Sequence, residues 1–91
     1  MENIKIHTLV ELKRLEIGTK LKLVGLKGIN NYKSEGLINE IVDVDKLGFK
    51  LSYGALTFPD KKGFESWDKG FIIKKGMNTS IPTILKFEVL K

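Results

Sequence analysis

Two segments of the chain combine the residue types that bind phosphate groups and stack on nucleobases. The first covers residues 24–33, VGLKGINNYK, where two glycines let the backbone approach a ligand closely. Lys27 and Lys33 add positive charge, and Tyr32 offers a ring for stacking. The Gly-x-x-Gly spacing is that of the backbone clamp in KH domains, although here it follows a predicted strand instead of joining two helices. The alternative interpretation is an ordinary hairpin connection.

The second segment has four aromatic residues and three lysines, Lys61, Lys62 and Lys69, within residues 58–71. Base–aromatic stacking contributes roughly 1–3 kcal/mol per base, and interleaved lysines hold the nucleic-acid backbone. The same rings can anchor a protein interface or fill a core, and core is the preferred interpretation for the phenylalanine that ends the segment. Trp67 is predicted to be partly exposed and to contact the partner, because a wholly buried indole needs an acceptor for its N–H.

Residues for catalysis or metal binding are scarce. The chain has no cysteine, and its single histidine, His7, lies in an N-terminal segment that is predicted to fray. Asp43 with Asp45 and Glu65 with Asp68 are paired acids, the type that binds Mg²⁺ or transfers protons. Each pair has a lysine nearby and no evident third ligand, so these acids are interpreted as solvated turn residues. We predict no enzyme activity, no cofactor and no metal site.

Composition indicates one small globular domain covering residues 1–91, with 42% apolar and 30% charged residues. The formal net charge is +5, and Arg14 is the only arginine among sixteen basic residues. A lysine-rich surface attracts polyanions without specific base readout, and it also keeps a protein soluble. The absence of cysteine and of any long apolar run favours a cytoplasmic protein that does not enter a membrane.

Residues 8–17 are predicted to form a short N-terminal helix. Thr8 and Glu11 form a capping-box pattern, and Gly18 is placed to end the helix. Leucines at three-residue spacing make one apolar face. Because an isolated helix of this length is unstable, that face must pack on a sheet.

Alternation of apolar and polar residues predicts five strands, and a turn at residues 45–48 joins the second and third into a hairpin. We therefore expect a mainly β (α+β) fold. One short helix packs on a strongly bent, roughly five-stranded antiparallel sheet, closed or half-closed into a small SH3-like or OB-like barrel. The predicted strands are Thr19–Val24, Gly36–Val44, Phe49–Tyr53, Phe71–Lys75 and Thr83–Leu90.

The helix and strand periodicities converge on one predicted core. The second strand has apolar residues on both faces, which is typical of a central or strongly curved strand. The core is predicted to contain Leu9, Leu12, Leu15, Leu21, Leu23, Ile38, Val42, Phe49, Leu51, Phe87 and Val89.

Four stretches of sequence carry a resemblance. They are Leu-x-x-Gly-Thr-Lys-Leu-Lys-Leu-Val at 15–24, Glu-Gly-Leu-Ile-x-Glu-Ile-Val at 35–42, Ser-Trp at 66–67 and Phe-Glu-Val-Leu at 87–90. Together they resemble small accessory proteins of phages and prophages of low-GC Gram-positive bacteria. The resemblance implies a protein that acts in the host cytoplasm. Proteins of this kind often block host immunity by occupying a nuclease or by sequestering a nucleotide signal.

We accordingly expect a non-enzymatic binding module whose partner is anionic, either nucleic acid or a nucleotide-containing host complex. One alternative is an inhibitor that binds a host immune factor, such as a CRISPR nuclease, by protein–protein contact. Another is a homo-oligomer that traps a small nucleotide between subunits. The predicted binding residues are Lys27, Tyr32, Lys33, Lys61, Lys62, Trp67 and Lys69.

Overall fold

A computed structural model describes residues 3–27, 36–76 and 83–90. Within those ranges the chain forms one helix and seven strands, and all seven strands belong to one antiparallel sheet with the order β4-β3-β2-β1-β7-β6-β5. The elements are α1 (Leu9–Lys13), β1 (Lys20–Lys27), β2 (Ile38–Val44), β3 (Gly48–Leu51), β4 (Gly54–Thr57), β5 (Phe64–Trp67), β6 (Gly70–Lys75) and β7 (Thr83–Leu90).

The centre of the sheet is the pairing of β1 with β7, which extends from Lys20–Leu90 to Lys27–Ile84. A β-bulge between Leu23 and Gly25 interrupts this ladder. Strands β2, β3 and β4 follow one another on one side, and β5, β6 and β7 follow one another on the other side. Consecutive strands are therefore neighbours in the sheet, except β4 and β5, which lie at opposite edges, and the central pair joins the first strand to the last.

The prediction of a mainly β protein with one short helix and an antiparallel sheet is confirmed. The prediction of five strands closed into an SH3-like or OB-like barrel is wrong, because the sheet has seven strands, stays open and is not strongly curled. β4 and β5, which the sequence analysis missed, are the two edge strands, and each has only four residues. The apolar face is covered by α1 and the N-terminal segment, so burial does not require closure of the sheet.

The beginning of the helix agrees with its capping signal. The Thr8 hydroxyl accepts a hydrogen bond from the Glu11 amide at 3.1 Å. The Glu11 carboxylate accepts one from the His7 amide at 3.0 Å, one residue before the N-cap. The capping pattern is therefore confirmed as the start of α1.

The end of the helix differs from the prediction of residues 8–17. The helix stops at Lys13, and Arg14 is its C-cap. Gly18 does not cap it. With φ of 97°, Gly18 turns the chain into β1 and donates its N–H to the Ile41 carbonyl at 2.7 Å. Across the described residues, no helix has the length and apolar character needed to span a membrane.

The N-terminal segment is packed, so the expectation that it frays is wrong for the residues described. Ile4 donates its N–H to the Val89 carbonyl at 3.0 Å, and Ile6 donates to the Gly70 carbonyl at 3.1 Å. The Ile6 side chain is buried in the core. These backbone bonds hold the segment at the end of β7 and the start of β6.

The core lies between the sheet, α1 and the N-terminal segment. Leu9 and Leu15 of the predicted core are only partly buried, but they pack against it. Ile6, Ile41, Leu56, Phe71 and Ile73 are buried core residues beyond the predicted list. The residues of the predicted list that are buried are Leu12, Leu21, Leu23, Phe49, Leu51, Phe87 and Val89.

The face of β2 that points toward the core is the one opposite to the predicted face. Ile38 and Val42 were predicted to be buried, yet they are 45% and 42% exposed, while Ile41 is completely buried. Leu21 pairs with Asn39 across β1, and Ile41 pairs with Leu51 across β3. Because strand neighbours in register share a face, these pairs place Ile41 in the core and turn Ile38 outward.

Candidate functional site

The sheet has two different faces. We call the side that packs on α1 and the N-terminal segment the inner face, and the opposite side the outer face. Register pairs alternate between the two faces along each strand. The residues on the outer face of the β2, β1, β7, β6 and β5 strands include Ile38, Glu40, Lys20, Lys22, Leu90, Glu88, Lys86, Ile84, Ile72, Lys74, Trp67 and Glu65.

Trp67 lies across the outer face at the end of β5. It pairs with Gly70 of β6, and its indole reaches over that glycine to β7, where Nε1 donates to the Phe87 carbonyl at 2.8 Å. Gly70 has no room for a side chain, since a Cβ there would lie 2.1 Å from the same Phe87 oxygen. Trp67 is half-buried. Its predicted partial exposure is confirmed, and its N–H is satisfied by the backbone.

A lysine covers part of this indole. The Lys86 ammonium lies 4.1 Å from the centroid of the Trp67 ring, a distance typical of a cation–π contact. Gly25 of β1 pairs with Lys86, and a Cβ on Gly25 would approach the Lys86 Cβ to 3.1 Å. Gly25 therefore lies inside a strand and makes space for the aliphatic part of the Lys86 side chain. The sequence analysis instead considered Gly25 part of a loop whose backbone approaches a ligand.

The predicted lysines do not form a single surface. Lys61 and Lys62 lie in the turn before β5, where the Asp60 carboxylate accepts the Gly63 amide at 2.8 Å. Lys69 lies in the turn after β5, beside Trp67. Lys69 thus lies near the Trp67 end of β5, and Lys61 and Lys62 lie before the other end of the strand.

The remaining predicted site residues are in or beside the first segment. Lys27 is the last residue of β1. Tyr32 and Lys33 lie outside the described residues, so their predicted role stays a prediction.

The aromatic residues of segment 58–71 do not form a common stacking platform. Phe71 stacks on Phe87 with ring centroids 5.2 Å apart, and it is completely buried. Phe58 packs edge-on against another core ring, and Phe64 packs against the core. Strand alternation sends Trp67 alone of the four to the outer face. The preferred interpretation of Phe71 as core is confirmed, and stacking of a base on Trp67 stays a prediction.

The acidic side chains serve local structure. Glu65 pairs with Lys74 at 3.2 Å and Asp68 with Lys5 at 3.9 Å. The Asp45 carboxylate accepts the Leu47 amide at 2.8 Å within the β2–β3 turn. In the described part of the chain, no group of three His, Asp or Glu side chains is arranged to hold a metal ion.

The Ser66 hydroxyl and the His7 imidazole have different surroundings in the part of the chain that the structure describes. Ser66 Oγ is buried there without a hydrogen-bond partner. His7 is exposed and contacts Glu11, with Nδ1 3.3 Å from the carboxylate. A serine hydroxyl needs a base within hydrogen-bond reach to act as a nucleophile.

Sequence reasoning missed Lys22 and Lys86 as site residues. Each alternates with apolar neighbours along its strand, a pattern common to the charged face of any half-buried strand. They come close through the β1–β7 pairing, where Lys22 lies opposite Glu88 and one step from Lys86 along the outer face. Among the described residues, neither lysine is in an ion pair.

No protein-family model, curated protein or solved structure matches this chain.

Proposed function

We propose that the protein is a non-enzymatic binding module of a phage or another mobile element, acting in the cytoplasm of its bacterial host. Its ligand is an anionic partner, either nucleic acid or a nucleotide-containing host complex. The observation that carries the proposal is the Lys86–Trp67 pair, an ammonium group and an indole ring 4.1 Å apart on the outer face. Phosphate and nucleobase are the two groups that such a pair recognises.

Neighbouring charges support this assignment. Lys22 extends positive charge from Lys86 toward the centre of the sheet, and Lys69 extends it beyond Trp67 at the β5–β6 turn. The net charge of +5 attracts polyanions from a distance. Since these groups are lysines, which contact phosphates as point charges, binding is expected to depend little on base sequence.

The contact between Lys86 and the indole suggests how binding proceeds. A base that stacks on the Trp67 ring replaces the Lys86 ammonium there, and the released ammonium then contacts the adjacent phosphate. The indole itself stays in place because its N–H is bonded to the Phe87 carbonyl. A ring that is already positioned loses little conformational entropy on binding.

The proposal is tested by fluorescence anisotropy with a labelled single-stranded oligonucleotide of mixed sequence, titrated over a series of salt concentrations. Each neutralised phosphate contributes about 0.7 to the slope of log K against log salt for a single strand. The double variant Lys22→Ala/Lys86→Ala is expected to reduce that slope by roughly 1–2. The matched control is Lys13→Ala/Lys46→Ala, which removes two exposed lysines elsewhere and is expected to leave the slope nearly unchanged.

A second pair of lysines tests the location of the site. Lys61→Ala/Lys62→Ala removes the same charge at the other end of β5, so it should reduce the slope less than Lys22→Ala/Lys86→Ala does. An equal or larger reduction would move the site to the β4–β5 connection. A flat salt response, or no binding of any single-stranded or duplex probe at about 50 mM salt, would exclude nucleic acid as the partner.

A second candidate function is inhibition of a host defence protein by direct contact. The observation that favours it is β4, an edge strand whose residues, Gly54–Thr57, carry no charge. Uncharged edges pair readily with an added strand, whereas lysines and prolines normally protect them. Thr57→Lys would weaken capture of such a protein from nuclease-treated lysate and would leave oligonucleotide binding intact.

A further inference from the structure

The β2 side of the outer face carries large apolar side chains in contact with solvent. Ile38 is 45% exposed, Val42 is 42% exposed and Tyr53 is 72% exposed. With Leu90, Lys20 and Glu40, they line one shallow depression. We call this group of six residues the β2 patch. Contiguous apolar surface of this kind marks an interaction site more often than scattered single residues do.

The centre of the β2 patch is a pair of opposite charges. Lys20 and Glu40 lie directly opposite each other in the β1–β2 register. Neither is in an ion pair among the residues that the structure describes. An ammonium and a carboxylate thus lie on directly paired residues of adjacent strands, in a depression that Ser52 and the apolar members of the patch also line.

We propose that the β2 patches of two copies of this chain pack face to face as a symmetric homodimer. A two-fold axis parallel to the strands and midway between β1 and β2 exchanges the positions of the two strands. It therefore places Lys20 of each copy opposite Glu40 of the other. The interface is self-complementary, as a two-fold interface must be, and the open sheet suits face-to-face sheet packing.

The charge pattern favours a second copy over other occupants. A polyanion on the β2 patch would meet the Glu40 carboxylate, and an acidic or basic protein would meet one like charge for each opposite one. A second copy pairs both charges and covers Ile38, Val42 and Tyr53 at once. The β2 patch adjoins the anion site proposed above, because Lys22 lies opposite Ile38 in the β1–β2 register, but the two proposals rest on different side chains.

Sedimentation equilibrium over a range of protein concentrations tests the inference. The wild type is expected to associate to twice its monomer mass of 10.3 kDa. Lys20→Glu places two carboxylates against two carboxylates across the axis, and Glu40→Lys places two ammonium groups against two. Each single variant is expected to weaken dimerisation by about tenfold or more, because like charges repel across an interface.

Mixing the two variants gives the decisive measurement. In an equimolar mixture, the carboxylates of the Lys20→Glu chain face the ammonium groups of the Glu40→Lys chain at both positions. Heterodimers should therefore form where neither variant dimerises alone, which also shows that both variants are folded. The matched control is Lys46→Glu, which makes the same charge change in the β2–β3 turn and should leave the wild-type affinity unchanged.

Any of three results would overturn the inference. One is a wild type that remains monomeric at the highest attainable concentration. Another is a dimer that tolerates Lys20→Glu and Glu40→Lys, and the third is a mixture of the two variants that gains no affinity. Oligonucleotide binding is measured separately, so loss of the dimer with binding retained would remove this inference and leave the proposed function standing.

Discussion

Trp67 joins three strands through one side chain. Its backbone belongs to β5, its ring crosses β6 at Gly70, and its N–H bonds to the Phe87 carbonyl of β7. Gly70 has no room for a larger residue, because a Cβ there would collide with the same carbonyl. The indole therefore links the edge strand β5 to β7, and Trp67 as a whole is half-buried.

We expect Trp67→Phe to lower the free energy of unfolding by about 1 kcal/mol, because the Phe87 carbonyl loses its donor while an aromatic ring is kept. For a domain of this size, that loss lowers the thermal midpoint by about 4–8 °C. Thermal unfolding of dilute protein, followed by circular dichroism, measures both quantities.

The control for this measurement is Tyr53→Phe, which removes a hydroxyl group from an aromatic residue that is 72% exposed. It is expected to change stability by less than about 0.5 kcal/mol. Equal effects of the two substitutions would mean that the indole hydrogen bond contributes nothing to the stability of the fold.

At the scale of elements, features whose sequence signal lies within one helix or strand could be predicted, whereas features that depend on packing between elements could not. The Thr8–Glu11 cap lies within one turn of chain, and strand β7 alternates over eight residues. Both were predicted correctly from sequence, because each signal is contained in the element itself. β4 (Gly-Ala-Leu-Thr) and β5 (Phe-Glu-Ser-Trp) do not alternate apolar with polar residues, so neither could be distinguished from loop sequence.

Strand β2 shows why its core face was predicted wrongly. Its apolar residues lie on both faces, and periodicity alone gives no preference between Ile41 and the pair Ile38 and Val42. The choice depends on the register with β1 and β3, where Ile41 meets Leu51. Asn39 is buried as a consequence, and its side-chain oxygen accepts the Tyr53 amide at 2.9 Å. No local pattern contains that information.

The helix gives the clearest prediction at this scale. Leu12 is completely buried, whereas Val10 on the same helix is 56% exposed. Leu12→Ala is expected to cost about 2–5 kcal/mol through lost apolar contact and a residual cavity. Val10→Ala deletes part of a side chain already in solvent and should change stability by less than about 0.5 kcal/mol.

Denaturant unfolding of both variants measures the difference. A small loss for Leu12→Ala would show that α1 is not packed on the sheet as described. A large loss of stability for Val10→Ala would mean that the face of α1 that contains Val10 is packed against another part of the protein.

At the scale of the whole molecule, the candidate site depends on the central strand pair. Lys22 and Lys86 are separated by most of the chain and become neighbours only because β1 pairs with β7. Trp67 was recognisable from its own flanking residues, but the lysines beside it were not, since several of the fifteen lysines fit the same pattern equally well. Which of these lysines lie near Trp67 depends on the strand order of the sheet, and the sequence alone does not specify that order.

The same topology predicts how stability is distributed over the sheet. β1 and β7 are flanked by strands on both sides and pair along their whole length, whereas β4 and β5 are short edges. Opening an edge breaks few hydrogen bonds and exposes little core, so edge amides exchange through local opening. Central amides exchange only when most of the sheet unfolds.

Native-state hydrogen exchange at four hydrogen-bonded amides tests whether the edges of the sheet open more easily than its centre. Leu23 and Val89 lie in the central pair and donate at 3.1 and 2.9 Å, to Leu37 and Lys69. Phe58 and Lys74 donate at 2.8 and 2.7 Å to partners beside the two edges. Because the bond lengths are similar, differences in protection reflect position in the sheet. We expect Leu23 and Val89 to exchange with the free energy of global unfolding and Phe58 and Lys74 to exchange faster. Equal protection at all four amides would mean that the sheet opens as a single unit, with its edges no weaker than its centre.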